Sequence, residues 1–156
     1  MTAKEEMYPI RPAQEKDLFR IAEILVFNYR LYFYPIFQDD EFYFQEMTVP
    51  ALAERFGKQL DGIYVYDDGV VKGFVQTAGR EIVKLFTEPV LHSQGIGAAL
   101  LEYAVNSHGA DHLWALEKNS AALRFYGEHG FRITPEKKYE EGTEEYLVLL
   151  KREVQQ

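Results

Sequence analysis

The sequence predicts an α/β chain, a mixed central sheet with helices on both faces, on three observations. First, residues 62–76 hold two β-rich runs around Asp67-Asp68-Gly69, a compact hairpin signal. Second, Ala78-Gly79-Arg80 turns into another β-rich run, 81–86, which makes a third strand in meander. Third, strand-like and helix-like patterns alternate from there to residue 150.

Taken in order, residues 8–12 form a short extended segment whose prolines, Pro9 and Pro12, suit a sheet edge. Apolar positions from Leu18 to Leu25 recur at helical spacing and predict a first helix that continues past Tyr29, and Pro35 is expected to break any helix there. A second helix is expected over 50–56, capped near Thr48 and ending near Gly57. Pro89 limits the strand 81–86, because it lacks a ladder donor. Residues 98–106 read as a helix and 112–116 as a buried strand. Asn119 is an N-cap type, so a helix over 120–129 stops at Gly130, a favoured residue just past a helix end. Ala122, Phe125 and Tyr126 share one face of it. Runs at 131–133 and 145–150 supply the last strands.

At 156 residues the chain fits one domain, 1–156, with room for a proper core. No apolar run of membrane-spanning length occurs, and the polar residues 1–6 lack the apolar region of a secretory signal. With these, the expectation is a cytoplasmic protein without a membrane partner. Zero cysteines exclude disulfides, thiolate metal sites and a cysteine nucleophile. A net charge of −8 argues against a nucleic-acid surface. The four histidines show no metal-ligand spacing, so no metal is expected.

Two blocks carry chemistry. His92-Ser93-Gln94-Gly95-Ile96-Gly97-Ala98 follows a strand and opens an apolar helix. Glycine admits close approach of an anion, and the unpaired first-turn N–H groups point at it with the helix dipole behind them. Twenty-two residues on from Gly97, Asn119-Ser120-Ala121-Ala122-Leu123-Arg124-Phe125-Tyr126 begins a block that ends Gly130-Phe131. Together they resemble the GNAT superfamily of acyl-CoA-dependent N-acetyltransferases. Its signature is Gln/Arg-x-x-Gly-x-Gly/Ala after a bent strand, then Asn-x-x-Ala-x-x-Phe-Tyr-x-x-x-Gly-Phe. The second half matches throughout. In the first half both glycines match, and His92 stands where the family has Gln or Arg. The order of elements is similar over roughly residues 8 to 150.

The resemblance implies a mostly antiparallel, twisted sheet of six to seven strands. It implies acetyl-CoA as co-substrate and transfer of the acetyl group to a primary amine, of a small molecule or peptide, by direct attack in a ternary complex. The pyrophosphate cradle falls on the backbone of Gln94, Gly95, Gly97 and Ala98. The strand before the loop is splayed from its neighbour in the family. Counting back from His92 carries the pantetheine-facing backbone roles onto Leu85 and Thr87, with the Leu85 N–H as oxyanion donor. Tyr126 takes the place of the general acid, since a phenol is protonated at neutral pH and can serve a departing thiolate. Asn119 gains a contact to the pantetheine amides beside its capping role. Glu81, eleven positions before His92, stands where some relatives carry a base acting through water; a surface charge near a turn reads equally well.

Residues 27–44 are half aromatic, nine of eighteen, with Asp39-Asp40-Glu41 among them. The family places the segment between its first two helices at the acceptor site, which assigns Tyr29, Phe33 and Tyr34 to substrate binding. Aromatic faces and carboxylates suit an ammonium group. Packing of the helix layer, or a dimer contact, is the competing use of these rings. The resemblance and the aromatic surplus together imply a homodimer. A non-catalytic acyl-CoA-binding regulatory module is the alternative function, disfavoured by the intact Tyr126. A dinucleotide-binding fold is set aside, because the glycine loop follows a meander rather than the first strand of a βαβ unit.

Overall fold

Asp17 anchors the start of the chain. Its carboxylate takes two bonds from the Arg11 guanidinium, at 2.8 and 2.9 Å, and one from the Gln14 N–H at 2.8 Å. Arg11 also reaches Asp67 at 2.9 Å, so one side chain fastens the first strand to a helix start and to the hairpin turn. The computed structural model describes residues 8–153. The polar start, residues 1–6, on which the expectation of no leader rests, lies outside them.

The strands are β1 (Ile10–Pro12), β2 (Ile63–Asp67), β3 (Val71–Ala78), β4 (Glu81–Thr87), β5 (His112–Leu116), β6 (Phe131–Tyr139) and β7 (Tyr146–Arg152). They form one sheet in the order β1-β2-β3-β4-β5-β7-β6. β4 and β5 pair parallel and every other pair is antiparallel, which is the mixed, mostly antiparallel sheet expected. The parallel pair follows from connectivity, since a helix must carry the chain from the end of β4 back to the start of β5. That helix is α4 (Ile96–His108); the others are α1 (Leu18–Asn28), α2 (Tyr34–Phe37), α3 (Val49–Gly57) and α5 (Ser120–Glu128).

Side-chain alternation along β3 divides the interior in two. Phe74 joins Ile63 and Val65 beneath α1 and α3, with Ile21, Leu25, Leu52 and Phe56. Val75 points the other way, to Leu100 and Leu101 of α4, Tyr126 of α5, and Leu113 and Leu150 of the sheet. Gly73 lets α4 settle closely on β3, because a Cβ there would meet Leu100 and the Phe86 carbonyl at 3.0 Å. No helix among the described residues is long and apolar enough to cross a membrane.

The two helix caps form as their residues predict. Thr48 caps α3 through the Ala51 N–H, and Asn119 caps α5 through the Ala122 N–H at 3.2 Å. Pro35 does not break the helical run. α1 passes through a widened turn, Tyr29–Phe33, into α2, where Pro35 occupies the first turn and needs no donor; the break comes at Gln38, with φ +54°. α4 starts at Ile96 and ends at His108, longer at both ends than the apolar run indicates. β6 runs to Tyr139 rather than 133. Pro135 interrupts its ladder with β7 between Ile133 and Lys137, and pairing resumes beyond it.

Bonds from Arg11 hold the Asp17 carboxyl below the usual carboxylate range, and the Gly69 N–H and Arg11 do the same for Asp67. A depressed carboxyl contributes stability above its unfolded value, about 3.9, and loses it as pH falls through the folded value. Denaturant midpoints are therefore expected to hold steady to about pH 5 and to drop below about pH 4. Asp17→Asn should cost about 1.5–3 kcal/mol at neutral pH and flatten the acid limb. An acid limb unchanged in Asp17→Asn would show that this pair does not set it.

Candidate active site

β4 carries one residue more than its partner can match. Gln76 of β3 sits opposite Lys84 and Thr77 opposite Ile82, so Val83 is a bulge. A bulge bends its strand and sharpens the twist. Pairing of β4 with β5 covers Glu81 with His112 and Ile82 with Leu113, and stops there. Beyond that point the strands diverge, and a cavity of ≈ 830 Å³ opens between 84–86 and 114–116. Tyr29 and Phe33 line it from one face of the sheet, Asn119, Ala122 and Tyr126 from the other.

The backbone of β4 is turned to that opening. The Glu88 N–H donates to the Lys72 carbonyl at 2.9 Å, which makes that pair a hydrogen-bonded one. Alternation in an antiparallel ladder then directs the Phe86 groups at β3 and the Leu85 and Thr87 groups toward β5. Thr87 agrees: its carbonyl accepts from the Asn28 side chain at 2.8 Å. Asn28 is buried on α1 and also donates to the Ile24 carbonyl, tying the helix to the end of β4. Leu85 lines the cavity, whereas Thr87 is buried beside it.

At the end of β4 a short turn, Pro89–Leu91, leads to the glycine loop. His92 and Gln94 are exposed, and Gly95 caps α4 in the left-handed region at φ +83°. Gly97 and Ala98 lie in the first turn, where N–H groups have no helical acceptor. The loop does not line the cavity itself. Gly97 sits against chain neighbours of the lining residues Tyr126 and Phe86: a Cβ there would lie 3.5 Å from the Phe125 ring and 3.7 Å from the Thr87 methyl. His92 stacks on Tyr32, with ring centroids 5.6 Å apart and Nδ1 3.0 Å from the Tyr32 hydroxyl.

Tyr126 is 8% exposed and packs edge-on against Phe125 and Phe131. Its hydroxyl makes no hydrogen bond with any described residue, and burial pushes the phenol far above its ordinary value. Asn119 lines the cavity while its side chain caps α5. Glu81 lies at the closed end of the wedge, 3.8 Å from His112 Nε2. Tyr29 and Phe33 pack together on the α1 side, with ring centroids 4.6 Å apart. Tyr34 does not line the cavity: its hydroxyl bonds Asp40, and its ring packs edge-on against Tyr43 and Phe44.

Several polar residues of the cavity lining escaped sequence reasoning, Arg55, Gln59, Lys84 and Glu140 among them, and Gln76 reaches the lining through its bond to Gln59. Lys84 is the one cation in the apolar run 82–86, which was the available signal. Burial and then the charge of Arg55 lower its pKa, with Glu140 opposing. Burial, with Glu140 next, raises Tyr43 to about 12.

The two loop glycines differ in what they need. Gly95→Ala meets no neighbour within 4 Å and must hold a left-handed φ, so it should cost about 1 kcal/mol. Gly97→Ala has ordinary contacts and a helical position, so urea denaturation should find it neutral or more stable by up to about 1 kcal/mol. Equal losses at both positions would contradict this geometry.

Residues 59–133 match the family model described as an acetyltransferase (GNAT) domain. The peptidyl-lysine N-acetyltransferase YiaC of Escherichia coli (strain K12) is 37% identical over 68 residues, 43% of this chain and 47% of that protein. The chain spans about half the length of the curated relatives it matches. Similarity of fold reaches further. The solution structure of apo YjaB from Escherichia coli superposes with a TM-score of 0.70 at 20% identity, covering 91% of this chain and 95% of that one. The PaiA N-acetyltransferase from Thermoplasma acidophilum, in complex with coenzyme A, gives 0.65 at 19% identity, covering 92% and 98%. The matched segment is the one that builds the wedge and the glycine loop: residues 59–133 resemble a GNAT acetyltransferase domain, and the chain as a whole shares the fold of these acetyltransferase structures.

Proposed function

We propose that this chain is a single-domain, acetyl-CoA-dependent N-acetyltransferase that acetylates the primary amine of a small molecule or peptide in a ternary complex. The observation that carries this reading is the wedge opened by Val83. It sets a strand edge with outward-facing backbone groups on the same cavity as Tyr126, a buried residue whose hydroxyl has no partner among the described residues. An activated acetyl group held as a thioester is what acetyl-CoA supplies when bound. The names of the relatives and the coenzyme A complex of a structural neighbour support that donor.

The residues present fit such a donor. The backbone N–H groups of Gln94, Gly95, Gly97 and Ala98 offer an exposed anion cradle at the head of a thirteen-residue helix. His92 faces Tyr32 rather than the cradle's N–H groups, so the cradle relies on the backbone. Leu85 and Thr87 lend strand-edge groups to an amide-bearing arm, and the Thr87 carbonyl keeps its bond to Asn28. Asn119 borders the same path. The Leu85 N–H is aimed where negative charge grows on a carbonyl oxygen, and a fixed donor in a water-poor site stabilises that charge. Tyr126, kept protonated by burial, gives its proton to the leaving thiolate. Glu81 accepts, through water, the proton that the substrate ammonium must lose before its amine attacks the carbonyl carbon. On the opposite face Tyr29 and Phe33 hold the acceptor, and Tyr34 acts from behind them by packing on Tyr43. No chemistry in this scheme calls for a metal. The exposed rings of Phe27, Tyr32, Phe42 and Phe44, spread from α1 to the helical turn Phe42–Glu46, support a homodimer.

Calorimetric titration with acetyl-CoA, with NAD as control, tests the donor. Micromolar binding of acetyl-CoA alone is expected, and none at high micromolar concentration would end the enzymatic reading. Tyr126→Phe should bind acetyl-CoA as before while thiol release falls roughly 10- to 1000-fold, the scale of one lost proton donor. Unchanged turnover would take Tyr126 out of the mechanism.

A further inference from the structure

We propose that the acceptor is an apolar amino acid, whose carboxylate is held by Arg55 and Lys84 on the α1–α3 face of the wedge. This rests on the acetyltransferase reading and narrows it to a substrate class.

The Val83 bulge puts Lys84 where it is. Ile82 belongs to the core under α4, and Phe86 packs against the core under α1. The extra residue between them switches faces, so Lys84 follows Phe86 and stands opposite Gln76. Arg55, near the end of α3, lines the same cavity. Neither cation makes a hydrogen bond or ion pair with any described residue. Arg11, Arg20, Lys72, Arg80, Lys118 and Lys137 all do. Lys84 feels both its own burial and the like charge of Arg55. Gln76, only 8% exposed, leaves its Oε1 without a partner. Two cations without an ion-pair contact form an arrangement that a bound anion completes, whereas the unpaired Gln76 Oε1 is an acceptor and calls for a donor. A guanidinium fork matches the two oxygens of a carboxylate.

The rest of the cavity suits the other parts of an amino acid. Asp39, Glu46 and Glu140 line it and supply negative charge for an ammonium. Phe33, Phe37 and Tyr43 give an apolar wall for a side chain. An internal lysine of a protein brings an ammonium and no carboxylate for Arg55 and Lys84.

The test pairs each amino acid with its decarboxylated amine: phenylalanine with phenethylamine, methionine with 3-(methylthio)propylamine, and lysine with cadaverine. An end-capped lysine peptide is added, and thiol release from acetyl-CoA is followed. The expected result is a roughly 10- to 100-fold higher kcat/KM for the carboxylate member, carried by KM, with phenylalanine or methionine the better substrates. Arg55→Ala and Lys84→Met should each shrink that ratio. The ratio is internal to each variant, so a loss of folded protein does not imitate it. Calorimetry of phenylalanine into the coenzyme A-loaded chain should show binding that Arg55→Ala weakens. Equal use of the decarboxylated amines, or preference for the capped peptide, overturns the inference and leaves acetyl transfer standing. So does acetyl-CoA binding with no amino acid bound or acetylated. Failure to bind acetyl-CoA overturns the acetyltransferase reading itself, and the inference with it.

Discussion

Between Ile82 and Leu113 the central sheet stops being continuous, and two strands that began as a parallel pair turn their inner edges to an open cavity instead of to each other. Backbone N–H and C=O groups tolerate this only where something else can satisfy them. The extra residue, Val83, forces the parting by bending β4, and the departure is held from the far side by Asn28, which takes the Thr87 carbonyl. Every other part of the site is arranged around that gap. A continuous ladder from Lys84 to Thr87 would leave no room for a ligand between the two helical layers.

The gap also explains why the molecule has two cores. α4 and α5 cover one face of the sheet, α1 and α3 the other, and the cavity reaches lining residues from both. On the α5 side the surroundings of Tyr126 are apolar, which keeps its phenol protonated. Elsewhere in the lining charge enters: Arg55, Lys84 and Glu140 share the cavity, and the first and last act on Lys84 with opposite signs. The cavity thus joins an apolar lining around Tyr126 to a charged one around Lys84.

Much of this was legible from residues alone. The Asp67-Asp68-Gly69 turn, the Thr48 and Asn119 caps and the Gly130 stop each have a local chemical signature, and each stands where that signature places it. The splay of β4 was expected from the family resemblance, but its cause was not: nothing in Ile82-Val83-Lys84 marks one residue as supernumerary. Pro35 misled, because a proline is harmless in a first turn and the sequence does not say which turn it will occupy. Tyr34 was grouped with Tyr29 and Phe33 by proximity in the chain, yet the widened helical turn rotates it onto Tyr43 and Asp40.

By itself the sequence determined the class of fold, the order of its elements and the glycine loop at the head of α4, since turns, caps and helix starts depend on the few residues that form them. The tertiary structure decided where β4 breaks from β5, that Asn28 reaches Thr87, and that Arg55 and Lys84 line one cavity. Those meetings join residues 29 to 59 positions apart, and they follow from strand register and helix packing, which no local pattern encodes.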